Sequence, residues 1–303
     1  MEGTRRGGCV AMLDLRYHQP TSVRDACMLG RRLGASGVFL AGGTELVPDY
    51  RRRRETAMEL ISLRALRELR GISADGDVLR IGSLATVAEL ARSVAVEQWL
   101  PALSEAARAL GSPTIRSRAT VGGNFCRAVS CADLPPAALV GNAMLRIASS
   151  DGTRDVAASG FFVGARQTIL LPGELLVEVR IPRPPLGSGT SFERFGLRKG
   201  LALAVASVAA RVQVERGRIV DAAVALGAVA ATPLLVPDLA LLLRGRTPAA
   251  ALFKLAAVAC VRAAGPISDV RGSAEFRRDI LAVLARRALE RATSRALGHG
   301  AES

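Results

Sequence analysis

The chain has 303 residues, half of them hydrophobic, enough for one large domain or two to three small ones with a sizeable core. Only 4% are aromatic, so Leu, Val, Ala and Ile must fill that core. The net charge of +14 is almost all arginine, but the arginines are scattered without interleaved aromatics, which argues against a nucleic-acid binder. A docking surface for acidic partners and a plain compositional preference for Arg stay open.

Five cysteines, at 9, 27, 126, 131 and 260, are odd in number and widely spaced, which speaks against a disulfide framework and for a reducing cytoplasm. The two histidines, His18 and His299, lie near the ends, which argues against a catalytic histidine or a histidine-rich metal site. No run reaches the roughly 18 apolar residues of a membrane span. Cys9 to Leu13, behind Arg5-Arg6, is too short for the apolar core of an export signal.

In chain order, residues 1–13 read as a ragged start. Residues 22–33 carry a helical pattern (Val23, Ala26, Cys27, Leu29, Leu33) stopped by Gly34. Val38-Phe39-Leu40 reads as a buried strand running into the loop Ala41-Gly42-Gly43-Thr44. Residues 59–63 read as a strand and 66–69 as a short turn. Asp75-Gly76 makes a hairpin turn before 78–81. Thr86-Val87-Ala88-Glu89 has the spacing of a capping box, and Pro101 opens a helix that Gly111 ends. Residues 112–133 read as a long irregular stretch. Helix resumes over 134–140, followed by a hairpin (144–148, 155–157) and a strand over 175–181. Pro182 to Gly189 marks a boundary. Beyond it, 191–197, 202–215 and 218–230 read as an antiparallel meander turning at Arg216-Gly217, and 249–264 as a helix. Phe276, Ile280, Leu281, Leu284 and Ala288 stripe a final helix.

The chemistry lies in two glycine pairs. Adjacent glycines let a ligand approach the backbone closely, and successive N–H groups form a concavity suited to a phosphate. Gly42-Gly43 is read as a cradle for the diphosphate of a dinucleotide. Gly122-Gly123, in Ala119-Thr120-Val121-Gly122-Gly123-Asn124, would hold it from the other side, with Thr44, Thr120 and Asn124 adding hydrogen bonds. Either pair alone is more often an ordinary turn. Neither matches the G-x-G-x-x-G or G-x-x-x-x-G-K-[ST] pattern.

Three ordered motifs give the chain a resemblance: Ala41-Gly42-Gly43-Thr44-Glu45, Ala119 through Asn124, and Ala132-Asp133-Leu134-Pro135-Pro136. They are similar to the AGGT[DE], ATIGGN and ADLPP loops of the FAD-binding medium subunits of the xanthine dehydrogenase–carbon monoxide dehydrogenase family of molybdenum hydroxylases. Lesser matches, among them Arg198-Lys199-Gly200 and Ile267 through Gly272, extend the likeness over nearly the whole length. The resemblance implies an α+β fold: a PCMH-type FAD-binding domain over 1–182, with subdomains about 1–65 and 66–182. A C-terminal domain of meander and helices would follow over 190–303.

It also implies an oxidoreductase subunit that binds FAD non-covalently, since neither loop holds a histidine for a histidyl-flavin bond. Electrons would arrive from [2Fe-2S] clusters and leave to an acceptor such as NAD, a quinone, oxygen or a protein carrier. Molybdopterin and the clusters would sit on partner subunits, because this chain has no cysteine framework for them and is too short for a molybdenum domain. Carried over by position, the FAD contacts are Leu40, Ala41, Gly42, Gly43, Thr44, Glu45, Thr120, Gly122, Gly123, Asn124, Asp133, Leu176 and Lys199. For Asp133 an N-cap before Leu-Pro-Pro is an equal reading, and for Leu176 simple core packing. Arg194 stands where the family often has Lys, which keeps charge but changes geometry.

Two further departures are Cys126 with Cys131, where small residues are usual and free thiols are expected, and Asp49-Tyr50-Arg51-Arg52-Arg53-Arg54, which is either a solvated face or a docking site for an acidic iron–sulfur partner. The alternatives to a flavin subunit are a free-standing FAD oxidoreductase and a basic anion- or nucleic-acid-binding protein.

Overall fold

The structure, a computed structural model, describes residues 15–198 and 203–299. Lys199 and the opening of the 202–215 strand lie outside the described residues.

Three larger sheets organise the chain, beside a two-stranded one of Phe162–Gly164 and Gln167–Thr168. The first is parallel, with Glu59–Ser62 central between Arg16–His18 and Gly37–Leu40. Helix Val23–Leu33 makes the crossover that a parallel pair needs. Its N-cap is Ser22, whose hydroxyl accepts from the Asp25 amide, and Gly34 ends it at φ 53°. The core of this unit, Ala26, Cys27, Ile61, Leu63, Leu66 and Leu69, is completed by Leu84, Ala148 and Leu175 from the second unit. The two are therefore packed as one body of apolar side chains.

The second sheet is antiparallel, in the order Ile72–Asp75, Val78–Gly82, Leu175–Pro182, Met144–Ala148, Thr153–Ala157. The capping box forms as expected: Thr86 accepts from the Glu89 amide while Glu89 Oε2 accepts from the Thr86 amide at 2.7 Å. Helices Val87–Arg92, Pro101–Ala109 and Leu134–Val140 bury Leu90, Leu103, Ala106, Leu134 and Val140 over this sheet.

The expected meander forms with shifted strand ends: the first strand ends at Phe195 and not 197, the second begins at Ala206, and the third ends at Gly227 and not 230. Strands Ser188–Phe195, Ala206–Glu215 and Arg218–Gly227 pair in sequence, and Arg216 (φ 49°) and Gly217 (φ 74°) form the turn. Its covered face meets helices Ala250–Ala263 and Ala274–His299 through Leu281, Leu284, Ala288, Leu289 and Ala292, one stripe at helical spacing. The helical domain and the meander are locked together at Glu105. It accepts from the Phe192 amide at 2.8 Å and pairs with Arg291 and Arg295.

The stretch 112–133 is less irregular than its sequence implies. It holds two short helices, Pro113–Arg116 and Val121–Cys126. Gly-Gly costs about 1 kcal/mol per glycine in a helix, so propensity hides the second one. Tertiary bonds fix it instead: the Val121 amide donates to Ala85 O at 2.9 Å and the Gly122 amide to Ser83 O at 2.8 Å. A third unexpected helix, Leu46–Arg51, follows the first glycine pair directly. The Pro/Gly boundary is shorter than 182–189, because pairing of the third sheet begins at Ser188.

Candidate functional site

A cleft of about 690 Å³ opens between the first sheet, the helical segments over 110–133 and the strand Ser188–Phe195, within the usual range for ligand sites of roughly 300–1,000 Å³. One wall is Ala41 through Leu46. A second carries Ala119, Thr120, Gly123, Asn124 and Arg127, and a third brings Asp133, Arg194 and Leu203.

The two glycine pairs share a division of labour. A Cβ on Gly42 would lie 1.9 Å from Arg118 O, and one on Gly122 would lie 2.7 Å from Ser83 Cβ and 2.9 Å from Ser83 O. The first glycine of each pair thus permits backbone to pack on backbone. The second faces the cleft: Gly43, at φ +71°, and Gly123, whose Cβ would meet only Thr120 Oγ1. Gly42 seats the first loop directly on the residues that lead into the second, so the loops are braced against each other.

Their amides differ. Those of Val121, Gly122 and Gly123 are engaged by Ala85 O, Ser83 O and Thr120 Oγ1. Gly122 therefore supports the wall and does not line it, a correction to the expectation that both pairs offer free N–H groups. In the first loop, no group among the described residues accepts from the amides of Gly42, Gly43, Thr44 or Glu45. These four are available to an anion. Across from them Asn124 Oδ1 is buried without a partner, and Thr120, which accepts from Gly123, keeps its hydroxyl hydrogen to donate. Free amides, an orphaned amide oxygen and a glycine in the left-handed region together fit a dinucleotide.

Asp133 does not cap its helix. It makes no side-chain bond to the Leu134–Val140 amides and instead accepts from Arg194 Nε at 3.0 Å. Burial raises its pKa to about 6, against the lowering effect of Arg194. The substitution of Arg for the family's Lys thus supplies a directed donor from the meander to the cleft. Burial also pushes the Cys126 thiol up to about 12, and raises Cys131 despite an opposing contribution from Arg271. Both line the cleft as free thiols.

The structure brings Ala41, Gly42, Gly43, Thr44, Glu45, Thr120, Gly123, Asn124 and Asp133 to the cleft. Leu40 lies beneath Gly43, where a Cβ would stand 3.4 Å from its Cδ1. Leu176 does not line the cleft; it is 1% exposed in the core and pairs with Ile147 in the second sheet. Lys199 lies outside the described residues. Sequence reasoning missed Arg127. This residue lines the cleft, pairs with buried Asp49, and lies 3.8 Å from Glu45. Arg166 stands 3.8 Å from the same Asp49. The only sequence signal was a charge three residues past Asn124, with no local feature to connect it to Asp49.

Known proteins share this arrangement. Residues 13–184 match the family described as "FAD binding domain in molybdopterin dehydrogenase", and residues 192–292 the "CO dehydrogenase flavoprotein C-terminal domain". Fold and cleft therefore define an FAD-binding oxidoreductase subunit, and the chain belongs to the flavoprotein family of the molybdopterin dehydrogenases. It is similar to the carbon monoxide dehydrogenase medium chain of Afipia carboxidovorans, 36% identical over 281 residues that cover 92% of this chain and 97% of that one. It is also similar to the nicotine 6-hydroxylase medium subunit of Paenarthrobacter nicotinovorans, at 31% identity with 93% and 98% covered. The solved carbon monoxide dehydrogenase of Hydrogenophaga pseudoflava superimposes with a TM-score of 0.90 at 31% identity, over 93% of this chain and 98% of that chain.

Proposed function

We propose that this chain is the flavin subunit through which a multi-subunit molybdenum dehydrogenase passes electrons from an iron–sulfur partner to an acceptor. Bound FAD supplies the exchange between single-electron and two-electron carriers; the chain supplies binding and orientation. The free amides of Gly42 to Glu45 would hold the diphosphate, the Thr44 and Thr120 hydroxyls would add hydrogen bonds, and Asn124 would take a donor from the cofactor. Asp133, held by Arg194, would accept a hydrogen bond from it. The observation that carries this reading is the set of four unengaged amides opposite the buried Asn124 Oδ1.

A free-standing oxidoreductase would need an acid or base for its substrate, yet the buried carboxylates of the cleft region, Asp49 and Asp133, are engaged by arginines. Cytoplasmic residence is supported by the scattered thiols, and no helix among the described residues is long and apolar enough to cross a membrane.

Reconstitution of the purified chain with FAD, read by the flavin bands near about 370 and 450 nm, tests the reading. The wild type gains both bands. Gly43→Val, which puts a branched side chain at φ +71°, does not. Absence of flavin from the wild type, or full occupancy in the variant, refutes the site. Co-purification with an iron–sulfur chain tests the complex.

A further inference from the structure

The arginine turn is not absorbed by the cofactor site. Arg51, Arg52, Arg53 and Arg54 are all exposed, and none forms an ion pair among the described residues. Neighbouring Glu55 forms no ion pair with them among the described residues; its Oε1 accepts from the Thr56 and Ala57 amides at 2.9 Å each, and its single charge leaves the turn strongly cationic.

The turn is fixed in place. The Arg52, Arg53 and Arg54 amides donate to Pro48 O, Tyr50 O and Asp49 O, with Arg53 at φ 54°. Beneath it Asp49 and Tyr50 are buried; Asp49 is tied to Arg127, and the Tyr50 hydroxyl donates to Ala57 O. Arg52 and Glu55 also line the cleft, so the turn reaches its edge through Arg52. Charges spaced within about one Debye length, ~8 Å at physiological ionic strength, act as a single field.

Another surface has a different chemistry. Leu197, Leu203, Ile267 and Val270 are exposed. Arg271, bonded to Ala204 O, and Arg277, bonded to Val205 O, hold these segments together, and Leu203 lines the cleft. Permanent subunit interfaces are apolar, whereas charge serves encounter between partners that come and go. An exposed apolar surface suits a permanent subunit, and an exposed arginine turn suits a transient partner.

We propose that the arginine turn is the landing surface for an acidic one-electron carrier protein that takes electrons from the bound flavin. This rests on the flavin-subunit reading above. The two electrons of reduced FAD pass singly to two oxidised carrier molecules, which become reduced, and its two protons go to solvent. Nucleic acid fits the turn less well, since Tyr50 points inward and leaves no ring for base stacking. A membrane fits less well because the helix that carries the turn has six residues, too few for an amphipathic anchor.

The test is association of a soluble acidic b-type cytochrome with the assembled complex, followed by surface plasmon resonance at low and high salt. The variant is Arg51→Glu/Arg53→Glu/Arg54→Glu, with Arg51→Gln/Arg54→Gln as a milder second. Steering predicts an association rate about ten-fold lower in the triple variant at low salt, an intermediate value in the double, and most of the salt dependence gone. FAD content, subunit composition and reduction of a neutral quinone stay unchanged. Absence of cytochrome binding to the wild type, or equal association by wild type and triple variant, overturns the proposal. So does loss of the iron–sulfur subunit from the variants, which would assign the turn to assembly. Binding of phosphatidylserine vesicles or a DNA oligonucleotide that the reversal abolishes, with cytochrome association unaffected, overturns it in favour of those ligands. Failure of the underlying reading is separately visible as missing flavin absorbance in the wild type.

Discussion

Gly42 and Gly123 sit in similar-looking motifs, yet alanine should act on them in opposite ways. At Gly42 the new Cβ would start 1.9 Å from Arg118 O, with Arg118 C at 2.8 Å and Ala119 Cα at 3.2 Å. These are backbone atoms that cannot rotate aside. The loops must separate by at least about 1 Å, and overpacking of that kind costs about 3 kcal/mol. For a chain of this size each kcal/mol is worth roughly 2 °C, so the apo chain should melt about 6 °C lower. FAD affinity should fall with it, because the first loop no longer rests on the second. At Gly123 the new Cβ meets only Thr120 Oγ1, at 2.9 Å. That side chain can shift, and alanine gains about 1 kcal/mol over glycine within a helix. Gly123→Ala should therefore leave the apo melting temperature unchanged or slightly raised, while weakening FAD about ten-fold by crowding the cleft, a loss of about 1.4 kcal/mol. Calorimetry of the apo chain and fluorescence titration with FAD separate the two effects. A Gly42→Ala chain that melts with the wild type refutes the argument that this glycine is a packing contact.

Two further predictions concern charges. Asp133 has its folded pKa raised from 3.8 to about 6, so the native state holds this proton more tightly than the unfolded chain. The stability it contributes is fully present below the unfolded value and is lost as pH rises through about 6, on the order of 3 kcal/mol. The apo melting temperature of Asp133→Asn should lack this decline between about pH 4 and 6, and identical pH profiles would rule the assignment out. Arg127→Ala leaves Asp49 buried with only Arg166, at 3.8 Å, nearby. Breaking a buried pair in this way costs about 3–5 kcal/mol, while Asp49→Asn/Arg127→Met should recover most of it. Urea midpoints measure both, and an unchanged midpoint in the single variant would place the pair at the surface.

What was legible in the sequence was what short stretches decide for themselves. Thr86 and Glu89 close a capping box because both partners lie within one turn. Arg216-Gly217 folds the meander because those two residues carry the positive φ. The cleft was legible only as a pair of motifs. The helix at Val121–Cys126 was hidden because it is held by Ser83 O and Ala85 O against the propensity of its glycines. Asp49 looked like the start of a solvated run, since the arginine that buries it lies 78 residues away. Asp133 had a good local reading as an N-cap, and a donor 61 residues downstream took it instead. Each of these misses turns on a polar group whose partner lies far along the chain, where local pattern carries no information.

The Asp133–Arg194 pair also constrains the order of events in synthesis. The glycine loops and Asp133 are complete once the first 133 residues have left the ribosome, but Arg194 belongs to the strand Ser188–Phe195, which pairs only with Ala206–Glu215. Until that hairpin exists, Asp133 lacks the Arg194 donor that it has in the finished chain. The cleft thus draws its walls from both parts of the chain, 13–184 and 192–292, and its third wall is complete only when the strand Ser188–Phe195 has a partner to pair with.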